Sequence, residues 1–300
     1  MDRNVDWRHL LPQVELLENE PMSHHTTFRI GGPARWMLRP RDTGQAADIL
    51  RLCHERDIRP FFLGNGSNLL VSDRGYGAVV VDTSGLEQMS AVDGETTVYA
   101  GSGVPLSRLA NFAADQGLAG LEFASGIPGS VGGAVRMNAG AYGGEICQVL
   151  KRVDYLDEMG VCHTAVPEEC GFSYRRSVFC QKPWLITGAL FTLTHGSTAE
   201  IRGRMAQLNR QRREKQPLEY PSAGSTFKRP QEYFAAALIE ECGLKGVSVG
   251  GAQVSEKHSG FVINRGGATC ADVLALMAQV QAKVMEKTGV LLEPEVEILG

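Results

Sequence analysis

The stretch Gly126–Glu145, GIPGSVGGAVRMNAGAYGGE, decides how this chain is read. Seven of its twenty residues are glycine, set among other small side chains and closed by a carboxylate. Glycine reaches positive φ and lets backbone approach a ligand with no Cβ in the way. Strings of exposed backbone N–H groups in such turns form concavities that hold phosphate oxygens. A second turn, Gly64-Asn65-Gly66-Ser67-Asn68, follows the apolar run Phe61 to Leu63. Two phosphate-sized cradles in one chain point to a dinucleotide-like cofactor. The fingerprint G-x-G-x-x-G is missing where a Rossmann unit needs it: Gly64-x-Gly66 follows a strand, but position 69 is leucine. G-x-x-x-x-G-K-[ST] is absent as well, which argues against a P-loop nucleotidase, and H-E-x-x-H is absent too. A dinucleotide would therefore sit in another fold.

The 300 residues exceed the usual size of one domain, so two or three compact units are expected. Hydrophobic residues at 43% and charged residues at 21% fit an ordinary soluble protein with a core. A net charge of −4 is too small to draw the chain to nucleic acid or membrane by field alone. The seven cysteines are scattered without a C-x-x-C, so reduced core thiols are expected, with no disulfide framework and no metal site. The first residues carry no apolar h-region, and no apolar run is long enough to span a bilayer. The expected compartment is the cytoplasm.

Helical spacing of Ala46, Ile49, Leu50 and Cys53 predicts a helix over 45–57. Extended apolar runs at 35–38, 61–63 and 78–82 surround it, giving a small α/β unit that ends near residue 83. A second unit holds a strand at 97–100, a helix over 106–116 stopped by Gly117, the glycine stretch, and strands at 153–156 and 185–193. So much glycine argues against one long helix through 126–145 and for loops between strands. A third unit opens on Ser197-x-x-Glu200, a capping box, followed by Ile201, Met205 and Leu208 at helical spacing and ended by Pro217. Helices over 231–242 and 271–288 follow, stopped by Gly243 and Gly289. The stripe Val273, Met277, Val280, Val284 is core packing. The basic run Arg210, Arg212, Arg213, Lys215 reads as a solvated helix face, not a nucleic-acid patch.

Three polar constellations remain. Tyr174-Arg175-Arg176 places two guanidinium groups beside a ring, suited to a carboxylate or phosphate, or simply to surface salt bridges. Residues 221–230, PSAGSTFKRP, gather small residues, hydroxyls and cations before a helix, as an anion site or an ordinary N-cap would. Leu292-Glu293-Pro294-Glu295-Val296-Glu297 is either an exposed edge strand or the source of one buried, functional acid.

Together with Thr27-Phe28-Arg29-Ile30-Gly31-Gly32, these motifs resemble one family, the UDP-N-acetylenolpyruvoylglucosamine reductases, flavoenzymes that complete UDP-N-acetylmuramate for peptidoglycan. The matching pieces are that segment, residues 64–68, 126–146, Tyr174-Arg175, Gly224-Ser225-Thr226-Phe227-Lys228 and Leu292 to Val296. Each is weakly specific alone; in order and nearly end to end they are strongly so. The resemblance implies an α+β fold. Two subdomains, 1–83 and 84–196, would form an FAD-binding unit of the vanillyl-alcohol-oxidase/PCMH type, and 197–300 an α+β substrate domain. It implies non-covalent FAD, with NADPH as co-substrate and a small nucleotide-sugar substrate, without nucleic acid, membrane or obligate protein partner. The cofactor residues it implies are Arg29, Gly64, Asn65, Gly66, Ser67, Asn68, Gly126, Ile127, Gly129, Ser130, Gly132, Gly133, Asn138 and Gly140. Arg175 matches the family's catalytic arginine, Glu295 its catalytic glutamate and Ser225 its proton donor. Lys215 and Arg229 match contacts to the substrate diphosphate, Tyr174 a contact to sugar or nicotinamide, and Lys228 is a further substrate-binding residue, close enough in sequence to assist Ser225. Little chain separates Arg175 from Ser225, so the resemblance is to the shorter subclass, without the extra substrate-covering loop. A flavin oxidase of alcohols or sugars, or a non-catalytic nucleotide-sugar binder, are the alternatives; a colourless protein would favour the second.

Overall fold

The computed structural model describes residues 5–91 and 95–300. They form two compact units, each discontinuous in sequence. The first holds the chain up to Glu18, Trp36–Asn65 and Ala78–Gln211; the second holds Asn19–Arg35, Gly66–Gly77 and Arg212–Gly300.

In the first unit, Asp42 starts the helix Thr43–Glu55 by accepting the Gln45 amide at 2.8 Å. That bond satisfies one of the donors a helix start leaves open, and it moves the start ahead of position 45, where apolar spacing alone puts it. Ala46, Ala47, Ile49, Leu50 and Cys53 turn inward and pack with Trp7, Leu38, Val79 and Val81. Burying each large aliphatic side chain there is worth roughly 1.5–3 kcal/mol. The same burial pushes the Cys53 thiol up to about 12 and leaves it inert. The neighbouring sheet has the order Glu15–Pro21, Pro33–Arg39, Tyr76–Asp82, Phe61–Leu63, with Phe61 opposite Val80 in parallel register.

A second sheet of the first unit runs Cys162–Ala165, Leu150–Leu156, Leu185–Thr192, Thr97–Gly101, Met89–Ala91, antiparallel throughout. Alternate residues Val98, Ala100, Ala189 and Phe191 share one core with Leu106, Leu109, Ala110 and Ala113 of the helix Leu106–Asp115. Gly117, at φ +66°, ends that helix as a left-handed stop. The glycine stretch is not all loop. It holds a short helix, Val131–Arg136, and a hairpin pairing Gly140–Ala141 with Gly144–Glu145. Val131, Ala134 and Val135 are buried, so packing on one side outweighs the poor helix propensity of two glycines. The helix Thr198–Lys215 inserts Ile201 and Met205 into this same core.

In the second unit the helix Cys270–Thr288 opens on a Thr269–Asp272 capping box and closes at Gly289, φ +72°. Its face Val273, Leu276, Met277, Val280, Val284 packs with Phe28, Ile30, Leu70, Leu238 and Leu292. Against it lies an antiparallel sheet of Ser248–Val249, Ala252–Val254 and Val262–Asn264. The helix Ala235–Glu241 is shorter than the 231–242 that spacing predicts. Glu232 sits at φ +65° and Phe234 is extended, and a right-handed helix cannot run through either. The C-terminal strand Glu297–Leu299 pairs in parallel with Leu69–Val71. Among the described residues no helix is long and apolar enough to cross a membrane.

Candidate active site

The glycine cradle of the first unit is built by close approach. A Cβ on Gly64 would fall 2.4 Å from Ser130 Oγ, and one on Gly132 would fall 2.8 Å from Ser102 Cβ. Ser130 Oγ accepts the Gly133 amide at 3.4 Å, the Gly132 amide donates to Ser102 O, and Gly129 O accepts the Leu106 amide. Asn65 Nδ2 donates to Pro128 O at 2.7 Å, which ties the 64–65 turn to the glycine stretch. Gly126 and Ile127 enter this stretch, Ile127 N bonding to Ala124 O. Ser102 Oγ is buried without a hydrogen-bond partner among the described residues, a polar orphan beside the cradle that sequence reading gave no reason to notice. Close-packed backbone free of intervening side chains, with the Ser102 and Ser130 hydroxyls buried beside it, is the kind of turn that would receive the phosphates of FAD.

Asn138 is 2% exposed and held at φ +42°. Its Nδ2 donates to Glu145 Oε2 at 3.0 Å and to Ser173 O at 3.3 Å, and its Oδ1 accepts the Cys147 amide at 3.1 Å. Burial pushes the neighbouring Cys147 thiol up, with Asn138 opposing and Glu145 adding to the shift. Ser173 carries the turn that presents Tyr174 and Arg175, so one amide joins the glycine stretch to the arginine loop. Arg175 stands at φ +55°, donates to Gly140 O at 3.3 Å, and lies 5.1 Å from the centre of the exposed Tyr174 ring. Tyr142 is also at positive φ. Each such non-glycine residue costs on the order of 1–3 kcal/mol, which the surrounding structure must hold in place.

The second unit brings together two other motifs. Phe227 bridges Pro294, Lys228 N donates to Glu293 O, and Glu295 N donates to Thr226 O at 2.9 Å. Residues 224–228 and 292–296 thus lie antiparallel, with Ser225 exposed and Glu295 half-buried beside Thr226. The Lys228–Glu293 ion pair at 3.2 Å is largely exposed and contributes at most about 1 kcal/mol. Arg229 stacks 4.1 Å from the centre of the Phe234 ring, and Lys215 is exposed in the last turn of its helix. Arg29, exposed at φ +54°, lies near Thr27, whose hydroxyl donates to Ser222 O at 2.7 Å.

The turn 64–68 divides between units after Asn65. Gly66 O accepts the Thr27 amide, Ser67 is half-buried, and Asn68 Nδ2 donates to Glu295 O at 3.0 Å. Asp73, which carries no sequence signal, caps the helix Cys270–Thr288 from a distant loop, accepting the Cys270 and Ala271 amides at 2.8 and 3.0 Å. Gly246-Val247-Ser248-Val249-Gly250 spells the G-x-S-x-G of a nucleophile elbow. Ser248 instead stands exposed at the start of a hairpin strand and donates to Gly246 O, and the motif forms no strand-to-helix turn.

Comparison with known proteins bears on both units. A family model described as FAD binding domain matches residues 34–165. A model described as UDP-N-acetylenolpyruvoylglucosamine reductase, C-terminal domain, matches residues 216–299. The UDP-N-acetylenolpyruvoylglucosamine reductase of Caldanaerobacter subterraneus is 48% identical over 293 residues, 98% of this chain and 96% of the relative. That of Agathobacter rectalis is 50% identical over 97% of this chain and 96% of its own length. The crystal structure of the Thermus caldophilus reductase superposes with a TM-score of 0.81 at 35% identity, covering 96% of this chain and 99% of that one. Physcomitrella patens BBE-like 1, at 14% identity and a TM-score of 0.50 over 64% of this chain and 45% of its own, shares the fold alone.

Proposed function

The chain belongs to the UDP-N-acetylenolpyruvoylglucosamine reductase family, and from that premise we propose how its own residues carry the reaction. The activity is NADPH-dependent reduction of UDP-N-acetylglucosamine enolpyruvate to UDP-N-acetylmuramate through FAD, in peptidoglycan precursor synthesis. FAD, when bound, would supply the two-electron store that links hydride from NADPH to the methylene carbon of the enolpyruvyl ether. Residues 64–67, Gly126, Ile127, Gly129, Ser130, Gly132, Gly133, Asn138, Gly140 and Arg29 would hold it, while the Asn68 side chain, expected from its motif to join them, is turned to Glu295 O. In this reading 1–83 and 84–196 carry the cofactor and 197–300 the substrate.

As the methylene carbon gains hydride, negative charge builds on the adjacent carbon and spreads into the substrate carboxylate. Fixed donors aimed at such charge usually make the largest catalytic contribution. Arg175 pairs with that carboxylate; its left-handed backbone and its bond to Gly140 O support a pre-set guanidinium. Glu295 stabilises the enol form, and Ser225 delivers the proton that completes the product. The observation that carries this reading is the Glu295 N to Thr226 O bond, which aligns the serine segment with the glutamate segment. Tyr174, Lys215, Lys228 and Arg229 supply the remaining substrate contacts. The enzyme works in the cytoplasm on a small nucleotide sugar, and needs no nucleic acid, membrane or obligate protein partner.

Anaerobic stopped-flow absorbance near the flavin band tests the reading. NADPH bleaches the band, and UDP-N-acetylglucosamine enolpyruvate restores it rapidly. Recovery only on admitting oxygen would move the activity to an oxidase. No band after reconstitution with FAD would end it.

A further inference from the structure

We propose that Asn68 is a positioning residue for Glu295: its side-chain amide is committed to the Glu295 carbonyl, and it sets the backbone from which the carboxylate projects. The inference rests on the reading of Glu295 as the group that stabilises the enol. By motif, Asn68 closes a phosphate turn, and its amide would be expected to face the cofactor. In the structure that amide donates to Glu295 O at 3.0 Å, and Asn68 O accepts the Glu297 amide at 3.0 Å.

The parallel ladder between Leu69–Val71 and Glu297–Leu299 begins only at Glu297, whose amide donates to Asn68 O. Before that point Glu295 O lies outside the ladder, and the Asn68 side-chain amide supplies its donor. On the other side, Glu295 N donates to Thr226 O at 2.9 Å. Thr226 is 4% exposed and held in turn, its Oγ1 accepting the Val262 amide and its N donating to Gly260 O. The Glu295 peptide groups are therefore gripped from both ends, and the Thr226 grip also holds the residue next to Ser225. Without the Asn68 donor, one of the two grips is gone while Pro294, Thr226 and the strand stay in place.

Asn68→Ala and the isosteric Asn68→Asp, prepared as holoenzyme, test this by three readouts. FAD content and NADPH-driven bleaching remain within about twofold of wild type, because backbone groups of the turn are unaltered. Single-turnover reoxidation by UDP-N-acetylglucosamine enolpyruvate slows about tenfold, the effect of losing one net hydrogen bond, while KM for that substrate moves little. Hydrogen exchange over residues 290–299 quickens in both variants. Loss of FAD with parallel slowing of both half-reactions would overturn the proposal and make the amide a cofactor ligand. Unchanged reoxidation or unchanged exchange would overturn it equally. Exchange probes the Asn68–Glu295 link without any turnover. A wild-type enzyme that the substrate fails to reoxidise would instead remove the catalytic reading of Glu295.

Discussion

Replacing Gly64 by alanine tests how the glycine cradle is held. The new methyl would lie 2.4 Å from Ser130 Oγ, where real contacts stay beyond about 3 Å, so the hydroxyl must swing away. Ser130 is 3% exposed, and its hydroxyl caps the Gly133 amide at 3.4 Å. Displacing it removes a long, weak cap and leaves a buried hydroxyl poorly paired, together about 1–2 kcal/mol. Ser130→Gly costs only a few tenths of a kcal/mol, since glycine is tolerated at an N-cap. The double variant has no hydroxyl to displace and should be as stable as Ser130→Gly alone. The coupling is then about 1 kcal/mol or more in favour of the double variant. Urea denaturation of the four proteins, followed by circular dichroism, measures it, since both residues lie in the first unit. Additivity within about 0.5 kcal/mol would refute the steric account.

Arg175→Lys should lower kcat/KM about 100-fold or more, because a point ammonium cannot reproduce the planar fork; near-normal turnover removes Arg175 from the catalytic set. Ser225→Ala should leave NADPH bleaching intact and slow substrate-driven reoxidation roughly 100- to 10,000-fold. Equal loss in both half-reactions would point to misfolding or lost flavin. Asp73→Ala removes the acceptor of two helix-start amides, a loss of about 2 kcal/mol and a fall in Tm of about 5 °C or more; an unmoved melt by calorimetry contradicts the cap. Burial holds His258 below its usual 6.5, with its Nδ1 accepting the Gly260 amide. Between that lowered value and 6.5 the unfolded chain binds a proton the native one refuses, so acid favours unfolding. Wild-type Tm should fall from pH 7 to 5, and less steeply in His258→Asn; identical slopes would exclude His258 as the source.

Much of the fold was legible because its signals are local. Gly117 and Gly289 end helices by left-handed backbone, and Ile201, Met205 and Leu208 mark a buried stripe whatever surrounds them. Local signals erred where a local alternative won. Asp42 started a helix earlier than apolar spacing did, Glu232 turned a chain that spacing made helical, and packing folded 131–136 into a helix within a glycine-rich stretch.

The sequence by itself determined the family, the cofactor class and the candidate chemistry, because six short motifs in order depend on residue type and spacing alone. It did not determine what those residues touch. The turn 64–68 reads as one unit, yet Asn65 bonds to Pro128 in the first compact unit and Asn68 to Glu295 in the second. Asp73 caps a helix 197 residues away, and the last strand pairs with Leu69–Val71. No periodicity, cap or turn signal reaches across such separations. Hydrogen bonds of that range form only once burial has closed the loops between them, so only the tertiary structure decides which groups they join.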